Sequence, residues 1–461
     1  MEESKETVVL VTGTNGGLGY SICCRTIDDF FKVQKEEGHS DTTLTLIFTT
    51  RDLQKSEQTQ ARLESYISTT AVAHGFDKSR VTLYPEQLDL SDLFSVRALA
   101  ARLNTSPRFQ KIDSLILNAG VSGFDGLNWF NAIWTSLINP IQAMTWPTYV
   151  RATPGRRNPK QTDREDEPVL GHVFTANVFG HYMLTHYLMP LLTVRPQTDP
   201  SRVVWVSSIE ACIFDFNVDD IQGLKIARSY QSSKYLTDVL ALTSELPHTQ
   251  HWVSKFTATP DSSSTAPSSS PISRPRSQPA MYTCHPGICA TGIVPLPKIL
   301  YYCMVMAFYI CRLLGSPWHV VSAYAGAFAP VFIATSTSQT LDETESSYRR
   351  WSSDGAVRGR VKWGSACTRF GKEELACTEV EGWGFGGVIG GAPRDCEADQ
   401  KRRRKTGAKN LTEEDKVNFI ETGRRCWREM EELREKWEAI LEEEESIKEK
   451  KEKDLSVEAE N

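Results

Sequence analysis

Apolar residues in this chain fall into short, nearly unbroken runs separated by longer stretches of helical period. The runs at 7–13 (TVVLVTG), 44–50 (LTLIFTT), 81–90 (VTLYPEQLDL), 112–120 (IDSLILNAG), 202–208 (RVVWVSS) and 280–287 (AMYTCHPG) read as strands. Runs that are apolar throughout belong to strands covered on both faces. Between them the pattern predicts a helix from about Leu18 and a polar helix from Gln54 to about His74. A third begins near Ser91 with Asp92 in its first turn, a fourth is centred on Asn177, and a fifth spans about Ser229 to Leu246.

Strands alternating with helices imply an α/β architecture with a parallel sheet. The glycine-rich turn after the first run fits a Rossmann-type doubly wound sheet. This unit is expected over residues 1–340, with 341–461 as a C-terminal extension. Three stretches break the rhythm. Residues 121–168 form a long insertion carrying Phe124, Trp129, Phe130, Trp134, Trp146 and Tyr149. Residues 257–279 are Ser/Pro-rich and read as a disordered surface loop. Residues 411–453 are a charged helical pattern whose apolar positions Val417, Phe419, Ile420, Trp427, Met430, Leu433, Trp437 and Leu441 recur at helical spacing. That helix is expected to pack one face on the body, with its charged end frayed.

Composition narrows little. The 461 residues suffice for one large domain or two, with 40 % hydrophobic and 24 % charged residues. A net charge of -6 gives no support for a nucleic-acid partner. The eleven cysteines include no C-x-x-C pair, so no metal site is expected, and they read as buried thiols of a reducing compartment. The N-terminus resembles neither a signal nor a transit peptide. The run 299–311 (ILYYCMVMAFYIC), inside a membrane-facing segment 293–316, is bounded by Lys298 and Arg312 and is shorter than the roughly 20 residues of a bilayer span. It is either a membrane-dipping segment or a buried lid helix. Residues 319–335, with Pro330, read as the last core helix.

The candidate chemistry begins at Thr12-Gly13-x-x-x-Gly17-Leu18-Gly19, between a strand and a helix. Glycines permit the tight turn and the close backbone approach that a pyrophosphate needs at a helix N-terminus. The second run ends Thr49-Thr50-Arg51, where an enzyme using NAD would carry an acid, and an arginine there can hold the 2′-phosphate of NADP(H). Asp89 and Asn118 end the third and fourth runs. They can bond the adenine and its ribose, or equally cap helices. Ser208 ends the fifth run, and Tyr230-x-x-x-Lys234 shares one helix face. A neighbouring ammonium lowers a phenol's pKa, so the pair can protonate a carbonyl oxygen as hydride reaches its carbon.

Together these residues resemble the short-chain dehydrogenase/reductase family over about 7–340. The resemblance implies that Asn177, in TANVFGHY, holds a water in a proton relay to Lys234. It also implies that Pro286-Gly287-Ile288, with Thr291, contacts the nicotinamide. The 22-residue spacing from Ser208 to Tyr230, the aromatic insertion and VKWGSACTRFG resemble, more narrowly, the fungal 3-keto-steroid reductases. That implies NADPH-dependent reduction of a 3-keto sterol to a 3β-hydroxysterol during the C-4 demethylation stage of ergosterol biosynthesis. It further implies a peripheral or monotopic place on the cytosolic face of the endoplasmic reticulum or on lipid droplets, beside the other C-4 demethylation enzymes. Two readings stay open: reduction of another lipid or secondary-metabolite ketone, and an NADP-binding scaffold without chemistry.

Overall fold

The computed structural model describes residues 6–37, 42–196, 198–259, 277–292, 296–346, 348, 360–390 and 400–460. The strands are β1 Glu6–Val11, β2 Thr43–Thr50, β3 Val81–Gln87, β4 Ser114–Leu117, β5 Gly126–Leu127, β6 Val150–Arg151, β7 Arg202–Val206, β8 Ala280–His285, β9 Lys362–Cys367 and β10 Glu373–Thr378. All but β5 and β6 form one sheet in the order β10-β9-β8-β7-β4-β1-β2-β3. Every pairing in it is parallel except β10 with β9. This is the doubly wound sheet the alternating pattern implies.

The period of two explains why both faces are apolar. On β1, Val8 and Leu10 face one core, with Val96 and Leu99 of the helix Leu93–Thr105 and with Leu236 and Val239 of the helix Ser229–Thr243. Val9 and Val11 face the other, with Ile22 and Ile27 of the helix Gly17–Glu37 and Leu63 and Ile67 of the helix Leu53–His74.

Five strands are shorter than their apolar runs, and β1 is one of them, stopping at Val11. β3 stops at Gln87, β4 covers only Ser114–Leu117, β7 stops at Val206 and β8 at His285. The surplus residues lie beyond the ladder, at the carboxyl edge of the sheet except for Ile112 and Asp113, which precede β4. Asp92 precedes its helix instead of sitting in the first turn, and its carboxylate accepts from the Phe94 and Ser95 amides at 2.9 and 3.2 Å. The Ser/Pro-rich loop lies outside the described residues from 260 to 276, and 293–295 of the membrane-facing segment do too. The helix expected over 319–335 is two pieces, Ala323–Gly326 and Phe328–Thr335, with Pro330 in the first turn of the second, where its missing N–H is not needed.

Past residue 340, where the sequence suggests an extension, the sheet continues. β9 pairs with β8 from Thr283↔Lys362, and β10 closes the edge. The tail helix then runs from Glu413 to Glu460, so its charged end continues as helix. It lies on the Ser229–Thr243 helix so closely that a Cβ on Gly423 would come 2.6 Å from Thr243 Cγ2. Phe419, Trp427, Met430, Trp437 and Leu441 are buried in the same core as β1, whereas Val417 points to solvent. Fully buried Glu431 accepts from the Tyr182 hydroxyl at 2.6 Å and from Arg434 at 2.9 and 2.7 Å, so its charge is paired.

Trp427 is wholly buried between Tyr182 and Phe256. Trp427→Ala is expected to cost about 3–5 kcal/mol, read as a lowered midpoint in chemical denaturation. An unmoved midpoint would show that the tail helix lies outside the cooperative core.

Candidate active site

The glycine turn is held from three sides. Thr14 N donates to Thr49 O at 3.0 Å and Gly13 N to Thr49 Oγ1 at 3.3 Å, which ties the turn to the end of β2. The Asn118 side-chain amide donates to Thr12 O at 2.9 Å and Gly13 O at 3.2 Å. Gly19 faces inward: a Cβ there would lie 2.1 Å from Gly13 O and 2.7 Å from Asn118 Nδ2, so no other residue fits. Gly17 and Leu18 open the helix, whose first N–H groups have no carbonyl one turn earlier to bond.

A cavity of about 940 Å³ runs from this turn across the carboxyl ends of the strands. Gly13, Gly17, Leu18, Gly19, Thr49, Arg51, Asp89, Asn118, Ser208, Tyr230, Lys234, Ile288 and Thr291 all line it. Arg51 is exposed on its rim. Asp52 beyond it faces away, capping the helix Leu53–His74 by accepting from Lys55 N at 2.8 Å. Asp89 caps no helix. One of its oxygens accepts from Ser91 N at 2.9 Å in a local turn beside the cavity. Asn118 and Thr49 have their polar groups engaged in bracing the glycine turn. The Thr291 side chain comes to within 3.5 Å of where a Gly17 Cβ would sit, so the 286–291 segment reaches back over the turn. That segment is pinned by Ile288 N to Trp318 O at 2.6 Å and Val321 N to Ile288 O at 3.0 Å. Val321 is held at φ +67, an uncommon conformation for a β-branched residue.

Ser208 lies two residues past β7, and Tyr230 sits in the first turn of the Ser229–Thr243 helix. The Ser208 hydroxyl accepts from Glu210 N at 3.1 Å and lines the cavity together with Tyr230. Lys234 Nζ donates to Val206 O at 2.8 Å and lies 5.9 Å from the Tyr230 ring centroid. Asn177, in a π-helical turn Thr175–Phe179, accepts from Val121 N at 2.7 Å and donates to Val121 O at 3.0 Å and Ser233 Oγ at 3.1 Å. The sequence pattern thus gathers Ser208, Tyr230, Lys234 and Asn177 in one place. The electrostatics differ from expectation in one respect. Burial, then the Glu210 carboxylate, push the Tyr230 phenol well above its usual range, and the Ser208 hydroxyl pulls it back. Burial brings Lys234 down to about 8. Desolvation therefore outweighs the expected help from the ammonium, and Tyr230 holds its proton.

Sequence reasoning missed three side chains. Glu210, two residues after Ser208, lines the cavity and accepts from Gln231 Nε2 at 2.8 Å. Burial raises its carboxyl to about 7. His181 is wholly buried behind Asn177. Their i, i+4 spacing on one helix was a usable signal. Lys362 comes from β9, and no local pattern marks it.

The far half of the cavity is apolar. Ile133 and Leu137 of the helix Trp129–Ile138 face Leu300, Met304 and Phe308 of the helix Lys298–Leu313. Phe124 meets the Tyr230 ring edge-on at 5.5 Å, and Trp146 Nε1 donates to Ile209 O at 3.1 Å. The Lys298–Leu313 helix is thus a cavity wall, with Ile299, Tyr302 and Met306 on its outer side exposed. Among the described residues no helix is long and apolar enough to cross a membrane.

No family model matches the chain. It is 48% identical to the 3-keto-steroid reductase of Aspergillus fumigatus, with 95% of each chain covered. It is 37% identical to the 3-keto-steroid reductase of Gibberella zeae, again with 95% of each covered. Among solved structures, levodione reductase aligns at 15% identity over 71% of this chain and 90% of that one, with a TM-score of 0.37, a likeness too loose to carry weight.

Glu210 generates a pH prediction. Its carboxyl rises from 4.5 to about 7 on folding. Within that window the unfolded chain has released the proton and the folded chain retains it, so stability falls as pH rises toward 7. Glu210→Gln removes that loss. Its melting temperature, relative to the parent, is expected to gain on the order of 2 °C between pH 5 and pH 8. A difference independent of pH would contradict the assignment.

Proposed function

The chain belongs to the 3-keto-steroid reductase family, and from that premise we propose that it reduces the 3-ketone of a sterol intermediate, left after loss of a C-4 methyl group, to the 3β-alcohol with NADPH. The supporting observation is a single cavity with a phosphate-type glycine turn at one end, Ser208, Tyr230 and Lys234 in the middle, and an apolar bowl at the other. A flat hydrocarbon skeleton suits the bowl, and a polar ketone edge suits the middle.

Bound NADPH supplies the hydride for the ketone carbon. The glycine turn and the helix N-terminus suit its pyrophosphate. Arg51, exposed on the rim with Asp52 turned away as a cap, suits a 2′-phosphate. Asp89 would suit the adenine end and Ile288 the nicotinamide, with Thr291 closing the segment back over the glycine turn. Tyr230 donates its proton to the ketone oxygen. The burial that keeps this phenol protonated leaves it in the acid form that reduction uses. Ser208 donates a hydrogen bond to the same oxygen. Lys234 would hold the nicotinamide ribose and return the proton to Tyr230, and Asn177, braced on Val121 and Ser233, would support that relay.

The same reading extends to location. Phe130, Trp134 and Ile138 on one helix and Ile299, Tyr302 and Met306 on another expose apolar side chains at the rim of the lipid-sized cavity. They suit contact with the bilayer surface of the endoplasmic reticulum, from which a sterol could enter without crossing water. Work beside the other C-4 demethylation enzymes belongs to this reading.

Purified protein with a 3-keto sterol is expected to oxidise NADPH in preference to NADH and to leave unrelated ketones largely untouched. Tyr230→Phe should lower turnover by about 10²–10⁴ while NADPH binding, followed by its fluorescence, persists. Full turnover in that variant would sink the assignment. Replacing both Tyr302 and Met306 by Glu should abolish flotation with phospholipid vesicles and leave turnover of detergent-solubilised sterol intact. Undiminished flotation would count against the membrane face.

A further inference from the structure

Lys362 is the first residue of β9, and its side chain is 2 % exposed. Its ammonium lies 2.5 Å from Asp238 Oδ2, donates to the Ser208 carbonyl at 2.7 Å and reaches Ser207 Oγ at 3.4 Å. These contacts account for all three of its N–H donors. Asp238 is wholly buried, and its other oxygen accepts from Thr283 Oγ1 at 2.8 Å. Asp238 follows Lys234 by one helical turn, on the same face. One ammonium therefore touches both the backbone that carries Ser208 and the helix that carries Tyr230 and Lys234. Burying an ion pair is a poor way to gain stability compared with apolar packing, so this one calls for another reason.

We propose that Lys362 is a positioning residue of the active site: anchored on Asp238, it fixes the Ser208 carbonyl so that the hydroxyl faces Tyr230, and it sets the charge balance around Lys234. The C-terminal part of the chain is thereby required for the geometry of the site as well as for closing the sheet. The proposal rests on the ketone-reductase reading above. The groups facing Lys234 are Tyr230 and Asp238 from its own helix, Lys362 from β9, Cys284 from β8 and His181 from the helix of Asn177. Of these, Lys362 favours loss of the Lys234 proton, and Asp238 favours its retention. Removing either should therefore move the titration in opposite directions.

The test uses the full chain as Lys362→Met, Asp238→Asn and the double variant. With NADPH and a 3-keto sterol, Lys362→Met should lower kcat about 10- to 100-fold through misplacement of Ser208, with both KM values little changed. The basic limb of its kcat–pH profile should move up, that of Asp238→Asn down, and that of the double variant back toward the parent. Backbone amides of 206–211 should exchange with deuterium about 10-fold faster in Lys362→Met than in the parent. Lower thermal stability with kcat per folded molecule, pH limb and amide exchange all unmoved would overturn the proposal. If Lys362→Met fails to fold, the near-isosteric Asp238→Asn decides by its pH limb, an unmoved limb overturning. A parent protein without turnover would sink the reductase reading, and the exchange measurement would then decide this proposal by itself.

Discussion

The buried hydroxyl of Thr12 is the point through which the two ends of the cavity are joined. It accepts from Asn118 N at 2.9 Å and Ala119 N at 3.0 Å, and lies 2.9 Å from His181 Nε2. Burial holds His181 down to about 3, so its ring is neutral. With Nδ1 3.3 Å from the Asn177 carbonyl, the ring proton belongs on Nδ1, and Nε2 accepts from Thr12. One donor and two acceptor positions of a single hydroxyl thus bind the glycine turn, the end of β4 and the helix of Asn177. Losing it would leave the part-buried Asn118 and Ala119 N–H groups without their acceptor. The glycine turn cannot shift without dragging the Asn177 region along.

Around that fixed frame, desolvation governs the chemistry. Tyr230 and Glu210 are pushed toward their protonated forms, and Lys234 toward its neutral form. The cavity therefore presents few net charges to an apolar guest. In its middle the Ser208 and Tyr230 hydroxyls line the same space, which suits an oxygen that gains charge only as the reaction proceeds.

The tail belongs to the same frame. β9 and β10 lengthen the sheet, and the tail helix covers the outer side of the Tyr230 helix through Phe419 and Trp427, while its Glu431–Arg434 cluster binds Tyr182 and His186 of the neighbouring helix. The Tyr230 helix is consequently buried on nearly all sides; every residue from Gln231 to Thr243 is inside. A helix so enclosed holds Tyr230 and Lys234 with little freedom, leaving the open side of the site to the Trp129–Ile138 and Lys298–Leu313 helices.

By itself the sequence determined whatever depends on spacing along the chain. Apolar runs of period two and stretches of period 3.6 reveal the doubly wound sheet. The glycine spacing marks the turn, and Tyr230 with Lys234 at i, i+4 marks one helix face. Ser208 followed from its order relative to those motifs, and Asn177 from the family resemblance. What lay out of reach were contacts between distant segments. Lys362 meets Ser208 across 154 residues, and Thr12 meets His181 across 169. The apolar runs overshoot the strand ends at β1, β3, β4, β7 and β8, because a ladder stops where its neighbour stops, and that neighbour is remote in the chain. The aromatics of the insertion are neighbours along the chain, yet folding sends Phe124 to the Tyr230 ring, Trp146 to the Ile209 carbonyl and Phe130 to the surface. Periodicity records which side of an element is apolar. Only the packed tertiary structure, where burial and partners are settled together, decides what that side touches and which groups keep their protons.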